Sequence, residues 1–397
     1  MDIVERFLKY VSFDTTSTEV KKDEASSPNQ YLLAKEIKKE LEELGGQDLF
    51  INKFGTVYGF FPGEIAGDSV VLIAHMDTSN AAPGANIKPR IINNYDGKDI
   101  ELSEDITMKV ADFPALLSSK GHELIVTDGK TLLGADDKAG IAIAMDVVNF
   151  FVTNKLPHKS IEVVFSTDEE IGAGADHIEI ERLHSKYGYT IDGGDIHYLS
   201  IENFNAASIN VEINGRSIHP GSAKDKMINA INVGMDFHNS LPRFMRPEHT
   251  DKREGFYHLI EFDGNEEKAR MEYIVREFDE NKLNYMLEYL NLASQRINKQ
   301  YQADVIRIQI IKTYKNMRPI IDKHPEIMEK IEKIYREKKI DYEFEPIRGG
   351  TDGAVLTNRG FCCPNLGTGG ANFHGRFEYL DVDQMKQMAD ILVQLFK

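Results

Sequence analysis

The sequence predicts an α/β fold: a mixed sheet flanked by helices, with a smaller ferredoxin-like α+β domain inserted into it. Three observations carry this. Short apolar runs of strand length alternate with amphipathic helical stripes up to about residue 200. Between residues 205 and 314 the order changes to strand, helix, strand, strand, helix, strand. The helix-and-strand rhythm then returns to the end of the chain. The expected divisions are therefore 1–204 and 315–397 for the two parts of one domain, and 205–314 for the insert.

The elements follow in order. Asn29 to Leu44 carries Leu33, Ile37, Leu41 and Leu44 at helical spacing and stops at Gly45-Gly46. Val70–Ala74 is a continuous apolar run, the pattern of a strand buried on both faces. Asn80 to Thr131 is rich in Pro, Gly, Asn and Asp and reads as an elaborated excursion from the main sheet. Ala139–Val152 reads as a buried helix, Ile161–Phe165 as a strand, and Tyr189–Asp192 as a short strand ending in a carboxylate. In the insert, strands are expected at 207–213, 256–262, 271–277 and 303–312, with helices at 230–240 and 283–297. Helices near 326–338 and 383–396 and a strand near 342–344 complete the chain.

Composition narrows the function. With 397 residues and 41% hydrophobic content the chain can bury a sizeable core and exceeds one ordinary domain. A formal net charge of −17 disfavours phosphate backbones, so nucleic acid is not an expected partner. The two cysteines, Cys362 and Cys363, are adjacent and suit neither a disulfide framework nor C-x-x-C metal spacing. Met1 to Tyr10 is charged and amphipathic without the basic and apolar regions of a secretory signal, and no apolar run approaches the ~18 residues of a membrane span. A cytoplasmic location is expected. Serine-hydrolase, Walker A and dinucleotide-binding motifs are missing, and His122-Glu123 lacks the second histidine of H-E-x-x-H.

What remains is a scattered set of acids and histidines at predicted strand ends, where open α/β sheets bind ligands. His75-Met76-Asp77 follows the first buried strand; taken alone, a hydrogen-bonded strand-end histidine explains it as well. Asp136 and Asp137 precede a helix of small residues, where an acid also serves as an ordinary cap. Asp168-Glu169-Glu170 is an acidic run, normally a solvated turn, placed here directly after a core strand. Asp192 precedes Gly193-Gly194, and His374 lies in the glycine-flanked Gly369–Gly375 stretch. Together they form an inventory of imidazoles and carboxylates that suits zinc.

This set of motifs resembles the di-zinc aminopeptidase and deacylase metallopeptidase superfamily, and most closely its tripeptide aminopeptidases. Further matching stretches are Glu202–Ala207, His219-Pro220-Gly221, Gly255–Leu259 and Pro346–Gly353, so the likeness spans nearly the whole chain. The resemblance implies a zinc-peptidase catalytic domain with an inserted lid, two Zn2+ per subunit, and release of the N-terminal residue from tripeptides. It implies that Asp136 bridges the ions, that His75 and Asp192 complete one site, and that Glu170 and His374 complete the other. Asp77 would orient His75. Glu169 would be the general base for attack by a zinc-bridging hydroxide, passing the proton to the leaving amine. Because Glu169 and Glu170 are adjacent, one can bind metal while its neighbour faces substrate.

His219 precedes a proline and alone reads as a surface turn. The resemblance gives it a substrate-side role, reaching the site by lid closure or from a partner subunit. Arg276 and Arg348 are candidates for the peptide carboxylate, with Asn316-Met317-Arg318 a weaker one; surface ion pairing is the competing explanation. Short peptides are the expected partners, and a homodimer through the insert fits the same likeness. A carboxypeptidase or an N-acyl-amino-acid deacylase would use the same metal site with a different pocket. A peptide-binding protein without turnover would have no need of an intact Glu169 and ligand set.

Overall fold

The strands of the two principal sheets are, in chain order, β1 (Gln47–Ile51), β2 (Val57–Phe61), β3 (Val70–His75), β4 (Ile161–Ser166), β5 (Gly188–Gly193), β6 (Asn205–Asn214), β7 (Phe256–Gly264), β8 (Lys268–Glu277), β9 (Ile306–Lys312) and β10 (Asn365–Gly367). The principal helices are α1 (Ile3–Val11), α2 (Pro28–Glu43), α3 (Ala135–Asn154), α4 (Ala230–Ser240), α5 (Glu280–Tyr301), α6 (Pro325–Lys338), α7 (Asp352–Asn358) and α8 (Val382–Phe396). This is a computed structural model describing all residues from Met1 to Lys397. The chain forms two units: Met1–Ile201 with Pro319–Glu345 and Thr351–Lys397, and Glu202–Arg318 with Pro346–Gly350.

The first unit holds a six-stranded mixed sheet in the order β1-β2-β4-β3-β5-β10. β4, β3, β5 and β10 run parallel, while β1 and β2 close the edge antiparallel. β3 and β4 are buried along their whole length, which is why both read as unbroken apolar runs rather than as alternation. The path leaves β3 for β4 on one side and then crosses to β5 on the other. Their carboxyl ends therefore share one edge, on both sides of the point where strand order reverses.

α3 packs across this sheet, and its small residues let it approach closely. A Cβ at Gly140 would stand 2.0 Å from the Ile191 carbonyl oxygen, so only glycine fits beside the end of β5.

The 80–131 excursion builds a minor sheet. Arg90–Ile92 and Leu124–Val126 pair antiparallel, and Tyr379–Asp381 adds to the latter, followed by Gly370–Ala371. Tyr95, Ile100, Leu102, Met108, Leu116 and Tyr379 form its separate core. The excursion is thus the scaffold that holds the two ends of the His374 loop.

The second unit carries an antiparallel sheet in the order β7-β8-β6-β9, the arrangement of a split βαβ pair. Ile209, Val211, Met271, Tyr273 and Val275 face α4 and α5 in one apolar core. Alternate positions such as Asn210, Glu212, Arg270 and Glu272 lie on the opposite face. Residues 202–204, 315–318 and 346–350, which the sequence pattern assigned to the first domain, lie with this unit. Backbone pairing explains it: Asn203 bridges Ile347, and the Ile347 amide donates to the Glu202 carbonyl. No helix is long and apolar enough to cross a membrane.

Candidate metal centre

The acids and imidazoles of the first unit converge at the carboxyl ends of β3, β4 and β5. His75 is the last residue of β3 and is buried. Its Nε2 lies 2.8 Å from Asp136 Oδ1 and 3.5 Å from Asp192 Oδ1. His374 Nε2 lies 3.0 Å from the other Asp136 oxygen and 2.9 Å from Glu170 Oε2. Asp136 is therefore flanked by two imidazoles, each paired with a further carboxylate.

Backbone geometry places each group. Asp136 precedes the regular part of α3, with φ −87 and ψ 104, and the Asp136–Asp137 peptide is cis. Asp168 turns the chain after β4 with left-handed φ of 64, so that Glu169 and Glu170 enter a short 3-10 turn. The Glu169 and Glu170 amides donate to the two oxygens of Asp77, at 3.0 and 3.1 Å. Asp77 also meets His75 Nδ1 twice, with its backbone carbonyl at 3.1 Å and its Oδ1 at 3.2 Å, so one buried residue fixes both the imidazole and the glutamate pair.

The electrostatics describe a site short of positive charge. Burial pushes the Glu169 carboxyl well above its ordinary value, and the Asp192 charge adds to the shift. Burial likewise raises Glu170, partly offset by the His374 hydrogen bond, and raises Asp192 to about 7. Hydrogen bonds to Asp136 and Glu170 raise His374 to about 10. For Asp136 burial acts upward, but the His374 and His75 hydrogen bonds outweigh it and hold the carboxyl low. Glu170 Oε1 is buried without a hydrogen-bond partner. A protein does not ordinarily strand a carboxylate oxygen among other acids. Divalent cations would supply the missing charge and the missing partner, and the His-and-carboxylate donor set fits them.

Asp137 is an alternative donor, since His75, Asp137 and Asp192 also bring ligand atoms within 4.8 Å of one another. Its oxygens, however, accept the His75 amide at 3.2 Å and the Gly140 amide at 3.2 Å. Those bonds tie β3 to α3, whereas the two Asp136 oxygens face the two imidazoles.

Several further buried acids support these groups. Asp168 is not a solvated turn residue: it is 1% exposed and accepts hydrogen bonds from the Ser26 amide and Gln30 Nε2 at 2.8 and 2.7 Å. Asp352 is buried and accepts from Ser166 Oγ at 2.8 Å; burial raises its carboxyl to about 6. Glu378 is buried and accepts three backbone amides of the Asp136 loop. The strand-end position of Asp168 and the matching stretch Pro346–Gly353 around Asp352 hinted at the first two, whereas nothing marked Glu378.

His219, Arg276 and Arg348 belong to the second unit. His219 is exposed, and its Nδ1 accepts the Gly221 amide at 3.1 Å. A neutral ring in that state carries its proton on Nε2. The Arg276 guanidinium stacks over Tyr314 at 5.1 Å and donates to the Val275 carbonyl at 3.1 Å. Arg348 donates to the Lys252 and Glu254 carbonyls and lies 5.1 Å from the Phe204 ring centre, so part of its fork is already engaged.

A two-imidazole, multi-carboxylate centre on a doubly connected α/β sheet defines a metallohydrolase class. The chain belongs to the peptidase family M20/M25/M40, whose model matches residues 122–397. A relative named Peptidase T, from Clostridium novyi (strain NT), is 40% identical over 400 residues, covering 100% of this chain and 98% of that protein. Among solved structures, a tripeptidase from Staphylococcus aureus subsp. aureus Mu50 superposes with a TM-score of 0.78 at 20% identity, covering 100% of this chain and 97% of the other. A Bacillus subtilis protein, described as a dinuclear metal binding peptidase of the M20 family, gives 0.63 at 12% identity over 99% and 97%. These two likenesses establish the shared fold.

Proposed function

We propose that this chain is a di-zinc aminopeptidase that releases the N-terminal residue of tripeptides. The observation that carries the reading is Asp136 held between His75 and His374, with Asp192 and Glu170 on its two flanks. The full-length likeness to Peptidase T, and the fold shared with a tripeptidase, support the substrate class. In this reading Asp136 would be the ligand shared by two ions, His75 and Asp192 would help hold one, and Glu170 and His374 the other.

Bound ions would acidify water toward a pKa of ~7 and polarise the scissile carbonyl. The chain's own residues do the rest. Glu169 takes the proton of the attacking water and delivers it to the departing amine. Asp77 holds the Glu169 amide and the His75 ring, so base and ligand keep a fixed separation. His219, with Nε2–H free to donate, serves the developing oxyanion, and Arg276 and Arg348 receive the peptide carboxylate. Arg276 is the freer of the two forks.

The same reading places the enzyme in the cytoplasm, which suits the free, buried thiols of Cys362 and Cys363. It assembles as a homodimer through the second unit, where Tyr285, Tyr289 and Leu292 form an exposed stripe along α5. Sedimentation of the intact chain at several concentrations tests the assembly; a monomer throughout would remove it.

The test of function is a peptide panel: a free tripeptide, its N-acetyl twin, and the matching dipeptide and tetrapeptide, with chelator and then zinc. Cleavage of the free tripeptide alone, lost with chelator and regained with zinc, is expected. Cleavage of the acetylated peptide would instead make the chain a carboxypeptidase or deacylase on the same metal site.

A further inference from the structure

The loop that carries His374 begins after Gly370–Ala371 and ends at Tyr379–Asp381, two antiparallel neighbours in the minor sheet. Glu378 is its last residue, 2% exposed, and it points into the other ligand-bearing loop. Its Oε2 accepts the Leu133 amide at 2.6 Å and the Gly134 amide at 2.9 Å. Its Oε1 accepts the Asp136 amide at 3.1 Å. Three backbone donors from one four-residue stretch thus converge on one buried carboxylate. This arrangement has the stoichiometry of an anion-binding nest filled by the protein's own side chain.

We infer that Glu378 is a positioning residue that sets the bridging carboxylate: it ties the Asp136 loop to the His374 loop, so that Asp136 faces both imidazoles at once. The inference rests on the metal reading above. The geometry leaves little slack. Asp136 must reach His75 Nε2 at 2.8 Å with one oxygen and His374 Nε2 at 3.0 Å with the other. One of those imidazoles sits at the end of β3 in the main sheet, the other in the loop of the minor sheet. Glu378 is the side chain that hydrogen-bonds the Asp136 amide directly from the His374 side. The remaining fixed point is Asp137, whose oxygens hold the His75 amide and the Gly140 amide. Asp136 is therefore held from both directions through backbone, which leaves its own oxygens to face the two imidazoles.

Glu378→Gln is the informative substitution. A carboxamide has the same shape but only one acceptor. It satisfies the Leu133 and Gly134 amides with its oxygen and turns an N–H donor toward the Asp136 amide. The fold keeps its buried contacts and the Asp136 amide loses its partner. Glu378→Asp is shorter by one methylene and withdraws from all three amides while keeping the charge.

The experiment is a zinc titration of metal-free wild type and both variants, with thermal melting of each metal-free protein alongside. For Glu378→Gln the expected result is zinc affinity weakened about 10–100-fold at both sites, because the shared ligand is displaced. The metal-free melting temperature should stay within about 10 °C of wild type, and turnover should recover at saturating zinc. Wild-type zinc affinity at either site in a folded variant overturns the inference. So does failure of both variants to fold, which would make Glu378 a purely structural residue. A wild type that binds no pair of ions contradicts the proposed function itself, an outcome distinct from both.

Discussion

The sheet of the first unit ends in buried carboxylates and imidazoles, while the sheet of the second follows plain alternation, with apolar residues toward its helices and polar ones away. In the second unit, burial is self-sufficient: Phe237 is fully buried and meets Tyr273 edge-on at 6.1 Å, and charges sit where water or arginines reach them. In the first unit, Glu169, Glu170 and Asp192 are all pushed above their ordinary values by burial. Protons, or divalent cations in their place, offset that cost, so the first unit is built around charge that its own packing does not supply. The difference separates a frame that is stable by packing from a site that is completed by ligands.

Replacing Asp136, the proposed shared ligand, is expected to have the largest effect on this comparison. Asp136→Ala is expected to lose paired metal binding and to reduce turnover by on the order of 10³-fold or more. Metal analysis that still finds two tightly held ions in this variant would remove Asp136 from the bridging position.

Next comes Glu169→Gln, which should retain both ions and lower kcat by about 10²–10⁴-fold. Loss of zinc rather than turnover would exchange the roles of Glu169 and Glu170.

The packing side of the comparison is broken by Phe237→Ala. The cavity it leaves should destabilise the second unit by about 3–5 kcal/mol in denaturant melts, with zinc affinity of the first unit unchanged.

The smallest effect concerns Glu202. Burial acts to raise its carboxyl, but hydrogen bonds from Arg253 at 2.6 and 2.7 Å, from Arg318 at 3.1 Å and from Asn316 outweigh burial and hold it low. A carboxyl depressed in the folded state stabilises above its unfolded pKa of about 4.3 and loses that contribution as pH falls through the folded value. Both arginines are substantially exposed, so the contribution should be about 1 kcal/mol or less. Glu202→Gln should flatten the acid limb of the second unit's stability; an unchanged limb would assign the pH dependence elsewhere.

Much of this contrast was legible in the sequence because its signals are local. The unbroken apolar runs at 70–74 and 161–165 are β3 and β4, and the strand-helix-strand-strand-helix-strand order of the insert is the β7-β8-β6-β9 sheet with α4 and α5. The ligand candidates stood out because acids and histidines followed those runs. What stayed hidden is non-local. Glu378 lies in an unremarked Phe-Glu-Tyr-Leu stretch and acts on amides more than 240 residues away. Gln30 sits inside an ordinary amphipathic helix and bonds Asp168 across 138 residues. The excursion at 80–131 showed only turn residues, because its strands are three or four residues long and pair with the far end of the chain.

The central claim is two ions sharing Asp136. The most direct measurement is anomalous diffraction at the zinc edge from crystals of the zinc-loaded protein. The account predicts two peaks, one on each side of Asp136 and about 3.5–4 Å apart, with His75 and Asp192 on one and His374 and Glu170 on the other. A single peak, or a pair that Asp136 does not touch, would contradict it.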